Sequence, residues 1–75
     1  MTNTTMIYVA LLDEGVRVWR PVDAERIHDD FYRIVDQPYD READRWEFEP
    51  GDEVICEHIE TSEGRVLAAT ARKGE

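Results

Sequence analysis

The sequence holds a single cysteine, Cys56. One thiol excludes an internal disulfide and fits a reducing compartment, so the expected location is the cytoplasm. No apolar run reaches the length of about eighteen residues that a membrane helix needs. No basic-then-apolar segment opens the chain, so no signal peptide is predicted. Asn3-Thr4-Thr5 matches the glycosylation triplet, which without secretion carries no weight. Bases are scarce: nine against eighteen acids, with one Lys among them. A chain with formal net charge −9 repels DNA, RNA and anionic membranes, so neither direct nucleic-acid nor membrane partners are expected. Paired metal ligands are also missing. There is one Cys-x-His, Cys56 and His58, with His28 and Asp29 or Asp30 elsewhere, and no calcium-loop pattern. Neither a metal nor a cofactor is predicted.

What remains is a folding composition. The chain has 75 residues, 41% hydrophobic, with two Trp, three Tyr and two Phe. That length makes one domain, 1–75, with an ordered core expected over about residues 6–71. A domain of this size hides only about 60% of its unfolded surface, so its core is small.

Apolar runs alternate with turn signals. Met6–Leu12 is β-branched and aromatic, and Asp13-Glu14-Gly15 then reads as a short hairpin turn. Val16–Arg20 alternates, and Pro21, with no N–H to give a ladder, marks an edge or a bulge. Phe31–Val35 and Trp46–Phe48 read as strands. Glu49-Pro50-Gly51-Asp52 reads as a type II turn, with Pro preset at its second place and Gly supplying positive φ at its third. Glu53–Glu60 and Arg65–Ala71 read as strands joined by a Thr61–Gly64 hairpin loop. Asp36–Arg45 is a polar loop with one helical turn at Glu42–Asp44. Residues 23–35 admit two readings. The spacing of Ala24, Ile27, Phe31, Ile34 and Val35 suits a helix capped by Asp23, whereas Asp29-Asp30 in mid-helix and the Phe-Tyr-Arg-Ile-Val run suit strand-turn-strand.

Short runs at this spacing predict an all-β fold, a small antiparallel barrel of five or six strands. The inner layer expected is Ile7, Val9, Leu11, Val18, Phe31, Trp46, Phe48, Val54, Cys56, Val66 and Leu67. Trp19-Arg20-Pro21-Val22, Tyr32-Arg33-Ile34 and Trp46–Glu57 together resemble a group of small bacterial proteins to which no activity is assigned. Strand, Pro-Gly-Asp turn and Val-rich strand are similar to the turn of many Src-homology-3-like barrels, and that resemblance implies such a barrel here.

The charge is unevenly placed. Residues 40–63 carry ten acids and two bases, net −8, whereas residues 64–75 are net +2. Catalysis is not predicted. In a strand Cys56 and His58 stand about 7 Å apart, too far for a nucleophile–base hydrogen bond. Six strands in so short a chain also leave little volume for a cleft. Acids alternating with rings in Trp46–Glu49 fit a solvated sheet face. Acid rows on neighbouring strands, about 4.8 Å apart with about 7 Å between same-face residues, also suit a surface that imitates phosphates. Like charges so close destabilise a sheet, which solubility alone does not require.

The chain is therefore predicted to be a non-enzymatic, acidic protein-binding module. Its partner is a protein with a basic surface, in the most concrete form a nucleic-acid-binding complex whose groove it blocks. In size and charge it is similar to some phage anti-CRISPR proteins. The predicted contact residues are Glu47, Glu49, Asp52, Glu53, Glu57 and Glu60. A self-associating structural or assembly protein is the alternative. Met6–Leu12 is apolar on both faces, so Tyr8 and Leu12 need cover from the Asp36–Arg45 loop with Tyr39, from a second copy in a homodimer, or from the partner.

Overall fold

In a computed structural model of the chain, residues 4–12 and 15–72 are described. Five strands follow one another: β1 (Thr5–Ala10), β2 (Trp19–His28), β3 (Phe31–Ile34), β4 (Glu53–Thr61) and β5 (Gly64–Arg72). They form a closed Src-homology-3-like barrel in the order β1-β2-β3-β4-β5. Four of its seams are antiparallel. The closing seam, β1 to β5, is parallel and consists of one bridge, Tyr8 to Ala68. An odd number of meandering strands brings its first and last members together in the same direction, so the barrel is mixed rather than purely antiparallel. Among the described residues no helix is long and apolar enough to cross a membrane.

Residues 23–35 adopt the strand-turn-strand reading. Asp29 takes a positive φ of 49°, which Asp tolerates, and closes the β2–β3 turn. Pro21 lies inside β2 opposite Tyr8. Two residues on, the Asp23 N–H donates to the Gln37 side chain and the Asp23 carbonyl accepts from Val35. Backbone polarity alternates along a strand, so the Pro21 nitrogen faces the same way, at a level where β3 has already ended. It therefore lies on an unpaired edge, and the missing N–H costs no bond.

Two expected strands differ. Val16–Arg20 is not a strand along its length; β2 begins at Trp19, and Val16 is 75% exposed. Asp13 and Glu14 of the expected hairpin lie outside the described residues. Trp46–Phe48 makes only an isolated bridge, Leu11 to Trp46. The segment is held to the end of β1 by Leu12 N–H to Arg45 (2.7 Å) and Glu47 N–H to Ala10 (2.8 Å), and the Pro-Gly turn then ends its pairing. The loop before it has its one helical turn, with the Asp44 N–H donating to the Asp40 carbonyl at 3.0 Å.

The core joins Ile7, Val9, Val22, Ala24, Tyr32, Ile34, Trp46, Phe48, Val54, Cys56 and Ala69, with Leu11, Tyr39 and Leu67 packed against it. Val18, Phe31 and Val66 are only half-buried, so these three expectations fail. Phe31 alternates with Tyr32 and Ile34, which point inward, so it lies on the outer face, where β2 bulges between Arg26 and His28 and the Phe31 ring lies 4.8 Å from that of His28. On β5, a register shift opposite Ile55/Cys56 accompanies the burial of both Ala68 and Ala69, and Val66 is left towards the hairpin tip.

The type II turn forms as expected, with Gly51 at φ 96° and Asp52 N–H donating to the Glu49 carbonyl at 3.0 Å. A Cβ at Gly51 meets no atom within 4 Å, so Gly51→Ala carries only the backbone penalty. A loss of about 1–2 kcal/mol is expected in denaturant unfolding. Unchanged stability would show that the turn adopts another type.

Candidate protein-binding surface

The six predicted contact acids fall into three environments. Glu49 and Asp52 hold the turn together. The Asp52 carboxylate accepts the Glu49 N–H at 2.9 Å and lies 3.3 Å from the Arg72 guanidinium. The Glu49 carboxylate accepts the Tyr39 hydroxyl at 2.9 Å and pairs with Arg41 at 3.1 Å. These charges are matched within the fold. Glu47 is half-buried beside Leu12 and Arg17, in a shallow cleft of about 240 Å³.

Glu53, Glu57 and Glu60 stand on β4. Val54 and Cys56 point inward, so Glu53 and Glu57 share the outer face with Ile55 and Ile59. Glu53 lies opposite Arg33 on β3. The Glu57 carboxylate accepts the Thr70 hydroxyl at 2.8 Å and is otherwise exposed. Glu60 has the opposite parity and is exposed near the hairpin tip, opposite Arg65. Exposed Glu63 follows in the turn, its N–H held by the Thr61 hydroxyl at 3.1 Å. The only base between residues 46 and 71 is Arg65. Of the six predicted contact acids, Glu57 and Glu60 are thus the exposed ones, and both stand on the β4–β5 hairpin. Sequence reasoning missed Glu63 as a contact candidate, although the Thr-Ser-Glu-Gly turn already exposes it. It also missed that Arg41 and Arg72 would neutralise the Pro-Gly turn.

The aromatic residues expected at an interface are placed differently. The loop folds back, but Tyr39 covers Trp46, with ring centroids 4.5 Å apart, and its hydroxyl accepts the Trp46 N–H at 3.1 Å. Tyr8 is half-buried between Pro21 on β2 and Ala68 on β5, its own strand neighbours. Leu12 remains 38% exposed.

Cys56 is 1% exposed. Burial, and secondarily the Asp30 carboxylate, push its thiol from 9.0 up to about 12. It is neither accessible nor easily ionised, while His58 stands exposed beyond the core. Among the described residues no group of three or more His, Cys, Asp or Glu is placed to hold a metal. The Cys56 shift sets an alkaline limit. In the unfolded chain the thiol ionises from pH 9.0 upward, and in the fold only near 12. Its contribution to stability is therefore full below pH 9.0 and lost as pH rises towards 12. Cys56→Ala is expected to cost about 1 kcal/mol at neutral pH through a small cavity, and to flatten the alkaline loss. Denaturant unfolding below and above pH 9.0 checks both; parallel pH profiles for the two proteins would contradict the shift.

Comparisons with protein-family models, with curated proteins and with solved structures found no match.

Proposed function

We propose that this chain is a non-enzymatic binding module that docks a basic protein surface, in the cytoplasm, through the acidic β4–β5 hairpin. The observation that carries the reading is the contrast within the acidic stretch. Glu49 and Asp52 are matched by Arg41 and Arg72, whereas Glu57, Glu60 and Glu63 project to solvent with one base nearby. A net −9 field steers such a surface towards a cationic partner and away from nucleic acid.

The concrete form is an inhibitor that occupies a basic groove built for nucleic acid, in the manner of some anti-CRISPR proteins. It rests on the charge field and not on phosphate register. Glu53 and Glu57 are four residues apart, about 13 Å along the strand, nearly twice the phosphate spacing of about 7 Å. Titrating the protein into a basic nucleic-acid-binding protein loaded with labelled DNA tests this form. Displacement of the DNA is expected; a ternary complex with the DNA retained would remove groove blocking.

Self-association is the second reading, and the exposed Met6 (55%), Val16 and Leu12 favour it. Sedimentation across concentration separates the two: a monomer supports the binding module, and a dimer that Tyr8→Glu dissociates supports assembly.

A further inference from the structure

The hairpin that carries these acids has an open edge. β3 pairs with β4 only at Glu53, Val54 and Ile55. One step further, the Cys56 N–H donates to the Asp30 carbonyl in the β2–β3 turn at 2.9 Å. Beyond that point β4 continues through Glu57, His58, Ile59, Glu60 and Thr61 with a ladder to β5 alone. Backbone polar groups alternate along a strand. Cys56 points its N–H away from β5, so His58 and Glu60 point theirs the same way. Among the described residues no backbone hydrogen bond reaches them on that side. This edge is exposed and offers two N–H donors and two carbonyl acceptors.

Resting on the reading of the hairpin as the docking surface, we propose that this edge binds an extended basic segment of the partner by strand addition, forming a sixth strand beside β4. Charge selects the occupant. Asp29 and Asp30 stand at one end of the edge, Glu57 along it, and Glu60 and Glu63 at the other end. A second copy on the same edge would bring Glu57, Glu60 and Glu63 of one hairpin within about 10 Å of the same acids on the other, and like charges at that range repel. The acids that reject a second copy attract a segment bearing Arg or Lys at alternate positions. Main-chain bonds then supply register, and the carboxylates supply selectivity.

The probe is a ten-residue peptide alternating Arg with Val, added to the isotope-labelled full chain and read by amide hydrogen exchange and chemical shift. Slowed exchange at His58 and Glu60 is expected. His58→Pro removes one outward N–H without touching a β5 bond and is expected to weaken peptide binding at least tenfold. Salt-sensitive binding that leaves the His58 and Glu60 amides unprotected and survives His58→Pro would overturn strand addition while leaving acidic docking intact. A folded basic protein that binds where the peptide does not would overturn it in the same way. Loss of both interactions would overturn the two readings together. Protection at His58 and Glu60 that grows with protein concentration alone would show a second copy on the edge and would also overturn the proposal. Protection in the wild type stands as evidence even if His58→Pro fails to fold.

Discussion

Trp46→Ala is expected to leave the protein largely unfolded in water. Trp46 is 4% exposed, and three separate elements converge on it. Leu11 bridges to it from the end of β1, Tyr39 stacks on it from the loop, and the Arg20 guanidinium sits 5.6 Å above its ring. Its backbone N–H is the donor that fixes the Tyr39 hydroxyl, which in turn bonds Glu49 in the Pro-Gly turn. Truncating a buried Trp costs about 3–5 kcal/mol. A domain of this size has a total stability near the lower end of about 5–15 kcal/mol. Circular dichroism with denaturant unfolding reads the outcome. A variant within about 1 kcal/mol of wild type would show that the loop and the Pro-Gly turn do not close the barrel end.

The second large effect concerns binding. Replacing Glu57, Glu60 and Glu63 together with Lys moves the net charge from −9 to −3 and reverses the sign of the hairpin tip. Affinity for a basic partner is expected to fall at least about a hundredfold, because like-charge contact costs several kcal/mol. The fold is expected to survive. The three side chains are exposed, and among the described residues the Glu57–Thr70 hydrogen bond is the one side-chain bond lost. Reversing Glu49 or Asp52 is the wrong test, since each holds the turn and any loss of binding would be mixed with loss of structure. Undiminished binding by the folded triple variant would move the contact surface off the hairpin.

Much of the barrel was legible because local signals agreed. The Pro50-Gly51 turn, the Thr61–Gly64 hairpin and the alternation of Val54 and Cys56 with Glu53 and Glu57 each point to the observed geometry. Phe31 shows where alternation was misread. With apolar residues at both parities of Phe-Tyr-Arg-Ile-Val, the deciding residue is Arg33. It must face out, as it does to pair with Glu25 at 3.1 Å, and that alone puts Tyr32 and Ile34 inside. Ala24, Ala68 and Ala69 were missed for a different reason: small residues are buried where strands crowd, and crowding depends on bulges that sequence does not reveal. At the candidate surface, the acid count was legible but its neutralisation was not. Arg41–Glu49 and Arg72–Asp52 are pairs between positions eight and twenty residues apart, brought together by the folding of the β3–β4 connection and by the β4–β5 register.

The most direct test of acidic docking is the affinity for a basic protein, measured by calorimetry at low and at high salt. Charges exposed on a hairpin are screened once the Debye length falls from about 10 Å at 0.1 M to about 3 Å at 1 M. The expected result is a loss of affinity of at least tenfold across that range, largely absent in the Glu57, Glu60 and Glu63 to Lys variant. An affinity that stays constant or rises with salt would mean that apolar contacts hold the complex, and would contradict a charge-driven binding module.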